Sequence, residues 1–166
     1  MRTTRQVAAA AEYRATAAGY RQTRDRYLAE SRTAKTAGKR CDLLASAEEY
    51  AGYVSGYTYN ALEAEGLTPS EIEASSEYAL ESGIAEAIET ARAAAAKEAN
   101  HDAADREVNR ILFVLRTEQD RTAREFLYDE LADAYAYSST PQHEAAARAK
   151  AERLCRVRLY LAGRAA

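Results

Sequence analysis

The chain has 166 residues, and its 23 Lys and Arg against 26 Asp and Glu give a formal net charge of −3. This length suits one domain with a single hydrophobic core, and only two Pro and seven Gly punctuate the chain, too few for the many turns of an all-β fold. The near-neutral total disfavours a general nucleic-acid-binding protein, which carries a clear basic excess.

Charge is divided into blocks along the chain. Residues 1–40 carry ten basic and three acidic side chains, whereas residues 41–91 carry eleven acidic side chains and no Lys or Arg. Such a division concerns partners and association rather than fold. The acidic block either neutralises basic helices within one subunit or stays available to another molecule.

The sequence shows no targeting signal and no membrane segment. Its first residues are polar and basic, and its longest strongly apolar run covers only residues 111–115, whereas a spanning helix needs about 20 apolar residues. Cys41 and Cys155 belong to no Cys/His cluster, which disfavours a zinc site or a disulfide framework. We therefore expect a cytoplasmic protein that does not contact a membrane.

Glycines separate the first predicted helices. Helix signals cover residues 4–37, and Gly38 is expected to close this helix in the left-handed conformation. A second helix is predicted over residues 39–65, and it ends at Gly66.

A capping box marks the start of a third helix. Thr68 stands at the N-cap, Pro69 at the first helical position and Glu71 at the third, the arrangement that satisfies the first free N–H groups of a helix. This helix is predicted to continue until a short break at residues 100–102, where Asn, His and Asp follow one another.

Two more helices complete the predicted fold. Helix four covers residues 102–138 and is apolar on every side near residues 111–115, a pattern typical of a helix surrounded by others. Pro141 opens a last helix that ends near residues 162–163. The sequence therefore predicts an all-α protein with a single domain over 1–166. Its architecture is an antiparallel up-and-down helical bundle of four long helices plus a shorter C-terminal helix.

Tyrosines recur every seven residues in predicted helix one and share one stripe of its surface. Ala10 and Ala17 extend the stripe, whereas Arg24 falls near its middle and is expected to prevent a regular coiled-coil seam. Either the rings cover the bundle, or they dock a protein or a nucleic-acid strand, since Tyr and Arg are enriched at binding hot spots and stacking platforms. The residues predicted to contact a partner here are Tyr13, Arg14, Tyr20, Arg21 and Tyr27.

A second group of tyrosines lies in predicted helix two. Gly52 and Gly56 are four residues apart on one side of this helix and would let another backbone come close, and we expect that backbone to belong to the same chain. The residues predicted to contact a partner on this side are Tyr50, Tyr53, Tyr57 and Tyr59.

One pattern suggests a di-iron site. Glu98 and His101 match the Glu-x-x-His spacing of di-iron carboxylate bundles. Such a site needs a second copy of the motif, but His143 follows Thr140 at that spacing rather than an acid. The motif also falls where the third helix is predicted to end, so the sequence favours a solvated helix terminus at Glu98 and His101.

A second pattern suggests Mg²⁺ chemistry. Glu130 and Asp133 are one helical turn apart and can share a cation. This stretch resembles the Glu-x-x-Asp half of the all-helical MazG-like nucleotide pyrophosphohydrolases. In that family a Glu-x-x-Glu pair on a preceding helix completes the metal cage, and the resemblance implies Glu86 and Glu89 in that role. Acidic residues at one-turn spacing are also common on the solvated helices of an acidic, alanine-rich protein.

The favoured interpretation is non-catalytic. An acidic flank that includes Glu63, Glu73 and Glu81 can attract a basic surface of the same chain, of another copy or of another protein. We expect a non-enzymatic protein–protein interaction or assembly protein of phage or GC-rich bacterial origin that self-associates and needs no cofactor. Two alternatives stay open: an Mg²⁺-dependent MazG-like nucleotide pyrophosphohydrolase, and a nucleic-acid-binding or nucleic-acid-mimicking inhibitor protein.

Overall fold

Helices form nearly all of the described chain. The computed structural model describes residues 3–165, and it describes the side chains of residues 3–162. No strand occurs in this range, which confirms the all-α class. The helices are α1 (Thr4–Thr33), α2 (Ala37–Ala64), α3 (Pro69–Glu73), α4 (Ser76–Thr117), α5 (Arg121–Tyr137) and α6 (Glu144–Ala165), with a 3₁₀ turn at Pro141–His143.

Contacts between residues divide the chain into two compact units, residues 1–96 and 97–166. The first contains α1, α2, α3 and the first half of α4, and the second contains the rest of α4 with α5 and α6. The single domain and the whole-chain antiparallel bundle stay predictions. No helix among the described residues is long and apolar enough to cross a membrane.

The start of α1 is confirmed, but its end is not where the sequence predicted. Thr3 caps the helix, because its side chain accepts a hydrogen bond from the Gln6 N–H at 3.3 Å while its own N–H donates to the Gln6 side chain at 2.9 Å. The helix ends at Thr33. Thr36 then caps α2 by accepting from the Lys39 N–H at 3.2 Å, so Gly38 lies in the first turn of α2 and does not close α1.

Gly66 ends α2 as predicted. It is in the left-handed region with φ of 87°, its N–H donates to Glu63 O at 2.8 Å, and the Leu67 N–H donates to Leu62 O at 3.2 Å. This pair of bonds satisfies carbonyls that the helix end leaves free, and glycine adopts the required φ without strain.

The capping box at Thr68 is confirmed, but the helix it opens is short. Glu71 accepts hydrogen bonds from the Thr68 N–H and hydroxyl at 2.8 and 2.7 Å. Helix α3 is only five residues long. The Ser75 hydroxyl accepts from the Tyr78 N–H at 3.2 Å and helps to start α4, a capping signal that the sequence interpretation missed.

The predicted break at residues 100–102 is wrong. Helix α4 continues for 42 residues from Ser76 to Thr117, since Asn, His and Asp lower helix propensity by well under 1 kcal/mol each, by about 0.7 at most relative to Ala, and Ala95 and Val108 on either side are buried. The chain breaks instead at residues 118–120, where the Asp120 side chain accepts from the Ala123 N–H at 2.8 Å. The predicted helix four therefore consists of the end of α4 and all of α5.

Each unit has its own hydrophobic core. In the first, buried Leu44, Ala47 and Ala51 of α2 form a cluster with Ile88 and Ala95 of α4.

In the second unit, the core joins α4, α5 and α6. Its buried members are Val108, Ile111, Leu115, Leu131, Ala132 and Ala147. Phe113 is 68% exposed, so the prediction that residues 111–115 are covered on every side is wrong. The apolar run is wider than the face that α5 and α6 cover.

Candidate functional site

Arg14 connects α1 with acidic residues that follow in the chain. It donates one hydrogen bond to Glu65, just after α2, and its Nη2 lies 3.2 Å from Oε2 of Glu77 on α4. The hydrogen bond to Glu65, followed by that to Glu77, raises the pKa of Arg14 above its ordinary value. Arg14, predicted to contact a partner, thus binds two carboxylates of its own chain.

Glu81 of α4 receives two arginines of α1. Arg21 Nη2 lies 2.7 Å from Oε1, and Arg24 Nη1 lies 2.6 Å from Oε2. Arg24 and Glu81 are both buried. Burial lowers the pKa of Arg24, but hydrogen bonds to Asp25 and Glu81 outweigh it and raise this pKa above its ordinary value. The basic stripe of α1 is therefore neutralised within the first unit.

The remaining acidic residues of the first unit fall into two groups. Arg92 Nε lies 2.6 Å from Glu48 Oε2 and neutralises that carboxylate. Several other glutamates are exposed and make no ion pair with the described residues, among them Glu63, Glu73, Glu86 and Glu89. Part of the acidic block is thus satisfied internally, and part faces solvent.

The two predicted tyrosine groups meet in one cluster. The Tyr20 ring lies 5.9, 5.2 and 5.5 Å from those of Tyr50, Tyr53 and Tyr57, measured between centroids. The tyrosine cluster consists of Tyr13, Tyr20, Tyr27, Tyr50, Tyr53 and Tyr57.

Contacts in the cluster follow an antiparallel order. Tyr13 contacts Tyr57 at 6.2 Å, whereas Tyr27, later in α1, contacts Tyr50, earlier in α2, at 5.7 Å. Helices α1 and α2 therefore run antiparallel within the first unit. The rings cover the seam between these helices, and their binding of a partner stays a prediction.

Tyr53 is the most exposed ring of the cluster, at 43%. Its hydroxyl donates to Glu49 at 2.9 Å, and this hydrogen bond raises the pKa of Tyr53. Tyr59 lies outside the cluster and packs against Tyr78, with ring centroids 5.8 Å apart.

Gly52 and Gly56 are both exposed on α2. A methyl group added at either would meet no atom within 4 Å apart from the neighbouring residues and backbone of its own stretch of helix. The expected close approach of another backbone of the same chain is therefore wrong for the part of the chain that the structure describes.

The carboxylates proposed for Mg²⁺ lie beside arginines in the second unit. Glu130 Oε2 is 3.8 Å from Arg110, and Asp133 accepts a hydrogen bond from Arg148 at 3.0 Å. Both carboxylates are exposed, as are Glu86 and Glu89 in the first unit. Over residues 3–162, no group of three or more His, Cys, Asp or Glu side chains is placed to hold a metal ion.

Glu98 and His101 lie inside α4 rather than at a helix end. Nδ1 of His101 is buried and has no hydrogen-bond partner among the described residues. A single histidine of this kind lacks the second motif copy that a di-iron site requires.

Acidic side chains of α5 are largely paired with α6. Arg158 binds Glu125 through two hydrogen bonds of 2.9 Å each, a bidentate geometry of the kind that makes such pairs strong. Arg148 contacts Asp133 and Glu144 at 3.0 and 3.2 Å. This network takes up most of the carboxylates that α5 and α6 share.

A different surface of the second unit is rich in unpaired cations. It contains a groove in two parts, with volumes of about 340 and 380 Å³, that share Tyr128 and Lys150 as walls. We call this the cationic groove. Besides these two walls, the residues that line the first part include Leu112, Leu115, Arg116, Tyr135 and His143, and those that line the second are Arg121, Arg124, Arg153, Leu154 and Val157. No carboxylate is among these described lining residues.

Tyr128 organises the centre of the groove. Lys150 Nζ lies 5.2 Å from the centre of its ring, and the Arg124 guanidinium carbon lies 5.9 Å from it. Arg124 is also held by a 3.1 Å hydrogen bond to Glu118 O. On the other side of the first part, the Tyr135 and His143 rings are 5.4 Å apart.

The sequence interpretation did not identify this groove. Its signals were the basic excess of residues 138–166 and the two arginines, three residues apart, that follow Asp120. The net charge of each segment did not reveal these cations, because the segments also contain acidic side chains. In the structure those acidic side chains pair with other arginines.

Comparison with known proteins does not assign the chain to a family. No protein-family model matches the chain, and neither the curated proteins nor the solved structures contain a significant match.

Proposed function

We propose that the protein is a non-enzymatic interaction and assembly protein that self-associates in the cytoplasm. The observation that carries the proposal is an uncovered apolar surface at the end of α6. There Val157, Tyr160 and Leu161, which are one helical turn apart and share one face of α6, are 37%, 62% and 49% exposed. Contiguous exposed apolar side chains of this kind mark interaction sites more often than isolated ones do.

The rest of the second unit supports an apolar contact. Helix α6 packs on its neighbours through Ala147 and Ala151, which are buried, and these small side chains leave the larger ones near the helix end uncovered. Phe113 and Phe126 are also more than half exposed. Removing a Leu side chain from water is worth about 1.5–3 kcal/mol, so a few such residues can sustain an interface.

A second copy of the chain is the partner that we propose. Soluble oligomers are most often closed and symmetric, and a two-fold axis brings the same patch of two copies together. Apolar surface then meets apolar surface without any other protein. The two cysteines are free, which supports the cytoplasmic location, since disulfides are rare in that compartment.

The salt dependence of self-association distinguishes this apolar interface from one held by opposite charges. Arg14, Arg21 and Arg24 are already paired within the first unit. Salt screens exposed charges and so weakens association between oppositely charged surfaces, but it should have little effect on an interface made of apolar side chains. We expect the oligomer to persist at high salt.

The experiment is light scattering coupled to size-exclusion chromatography, at low and high salt, with a double variant Tyr160→Lys/Leu161→Lys. We expect an oligomer for the wild type and a monomer for the variant. Leu80→Lys is the matched control, because Leu80 is 63% exposed on α4 of the first unit. It should leave the oligomer intact.

A monomeric wild type over a wide dilution range would refute the proposal. So would an oligomer that Leu80→Lys disrupts and the α6 variant does not. Dissociation of the oligomer at high salt would indicate that the exposed glutamates, and not the apolar patch, form the interface.

A further inference from the structure

Cations of the groove lack the carboxylate partners that three other arginines of the second unit have. Within 4 Å of a carboxylate lie Arg110, Arg148 and Arg158. No described carboxylate comes that close to four cations of the second part of the groove: Arg121, Arg124, Lys150 and Arg153. Four like charges around one opening repel one another, and an anion bound among them relieves that repulsion.

The start of α5 is an unusual place for two of these cations. Arg121 and Arg124 lie in its first turns, and the first turn contains no acidic residue. The N-terminal end of a helix carries partial positive charge, so stability favours acidic residues there. Only the Asp120 cap offsets the effect. Arginines at this end increase the attraction for an anion at a cost to helix stability.

The first part of the groove adds a ring-lined slot, which also contains the cation Arg116. Tyr135 and His143 present rings on one side, and Leu112 and Leu115 provide apolar side chains. Tyr128 and Lys150 belong to both parts. A ligand that fills the whole groove thus needs a planar apolar portion next to a strongly anionic one.

We propose that the cationic groove binds a nucleotide unit, with the base beside Tyr135 and His143 and the phosphates among Arg121, Arg124, Lys150 and Arg153. Guanidinium groups match phosphate oxygens in a bidentate geometry, and bases stack on aromatic side chains whatever their sequence. Each part of the groove has the volume of an ordinary small-ligand site. The groove and the apolar patch of α6 share Val157, but the charged and aromatic contacts proposed for the nucleotide unit all lie within one copy of the chain.

Two sources can supply the nucleotide unit. It is either a free nucleotide or part of a single-stranded nucleic acid. Double-stranded DNA is disfavoured, because its bases are stacked inside the duplex and cannot enter the slot. An acidic peptide would satisfy the cations but would leave the ring-lined slot unused.

The test uses the full chain and fluorescence anisotropy of a fluorescein-labelled, ten-nucleotide oligo(dT). ATP and poly-glutamate serve as unlabelled competitors. We expect oligo(dT) to bind, and its affinity to fall steeply with salt, because phosphate contacts release counterions. Competition by ATP identifies a free-nucleotide site, and binding of oligo(dT) without competition by ATP identifies a strand-binding site.

Two charge-reversal variants distinguish binding in the groove from general attraction between the protein and an anion. Arg153→Glu inverts an exposed cation of the groove, and Arg106→Glu makes the same charge change at an exposed position of α4 outside it. Arg153→Glu should weaken oligo(dT) binding by about tenfold or more, as expected when phosphate contacts are lost. Arg106→Glu should change it by less than about twofold, since it makes no phosphate contact.

His143→Ala tests the slot for the base. His143 is exposed in the 3₁₀ turn, so its removal should leave the fold intact, which circular dichroism verifies. Loss of a stacking partner should weaken oligo(dT) binding by at least about fivefold.

Three results would overturn the inference. The first is that neither oligo(dT) nor ATP binds at low salt. The second is that Arg106→Glu and Arg153→Glu weaken binding equally, which shows general charge attraction. The third is that poly-glutamate competes as well as ATP and oligo(dT) while His143→Ala has no effect, which identifies an acidic-peptide site instead.

Discussion

Arg24 of α1 and Glu81 of α4 form an ion pair in which each side chain is only 5% exposed, with 2.6 Å between Nη1 and Oε2. Arg24 lies in the buried heptad series Ala10, Ala17, Arg24 and Ser31. The arginine that seemed to interrupt the stripe of α1 therefore belongs to it. A polar residue at such a position fixes the register of its helix, because the pair forms in only one alignment.

Loss of the Glu81 charge should destabilise the first unit strongly. Glu81→Gln leaves Arg24 buried without its interhelical carboxylate, and breaking one side of a buried pair costs about 3–5 kcal/mol. Urea denaturation followed by circular dichroism measures the change. Glu77→Gln is the matched control on the same helix, because Glu77 is 41% exposed, and exposed pairs are worth about 1 kcal/mol or less. Equal effects of the two changes would contradict this role of burial.

The tyrosine cluster should stabilise the first unit through ring packing. Tyr20→Ala removes contacts with three other rings and should cost about 2 kcal/mol, less than for a fully buried aromatic residue because Tyr20 is half-buried. Tyr137→Ala is the control, since Tyr137 is 73% exposed, and it should cost less than about 0.5 kcal/mol. Thermal denaturation compares them, and a neutral Tyr20→Ala would show that the rings contribute no packing energy.

The continuity of α4 can be tested with proline. Asn100→Pro should destabilise the protein by about 3 kcal/mol and reduce the helical circular dichroism signal, because proline inside a helix removes a hydrogen bond and clashes with the preceding turn. Gln119→Pro places the same residue between α4 and α5 and should be tolerated. Tolerance of Asn100→Pro would favour the helix break that the sequence suggested.

Acid should weaken the capping box of α3. The Thr68 N–H and hydroxyl bind the Glu71 carboxylate and lower its pKa below the ordinary value of 4.5. A carboxyl whose folded pKa is depressed stabilises the fold above its unfolded pKa, and this contribution disappears as the pH falls through the folded pKa. The wild type should thus lose its advantage over Glu71→Gln below about pH 4.5.

Urea denaturation of both proteins over a pH series measures this loss. Glu73→Gln is the control on the same helix, because Glu73 accepts no hydrogen bond from Thr68. A difference between wild type and Glu71→Gln that stays constant down to the lowest pH would exclude the carboxylate as the source.

Local signals of the sequence predicted local features of the fold. Gly66 and Thr68 were identified because caps depend on residues within one turn of the chain. Gly38 and Asn100 misled the prediction, because a residue with low helix propensity stays helical when its neighbours are good helix formers or are buried.

Long-range pairing explains what could not be predicted about the candidate sites. The sequence marked Arg14 and Arg21 as available, but their partners Glu77 and Glu81 are about sixty residues away and become neighbours only when α1 meets α4. The cationic groove escaped detection for the converse reason. Its cations stand out only once the fold has paired Arg110, Arg148 and Arg158 with carboxylates.

The tyrosine cluster also gives the protein an optical signature. The chain has twelve tyrosines and no tryptophan, and half of those tyrosines belong to one row of rings between α1 and α2. Electronic transitions of rings at such separations couple, so near-ultraviolet circular dichroism should be dominated by this row. The first unit therefore carries its own spectroscopic probe, and its unfolding can be followed without any label.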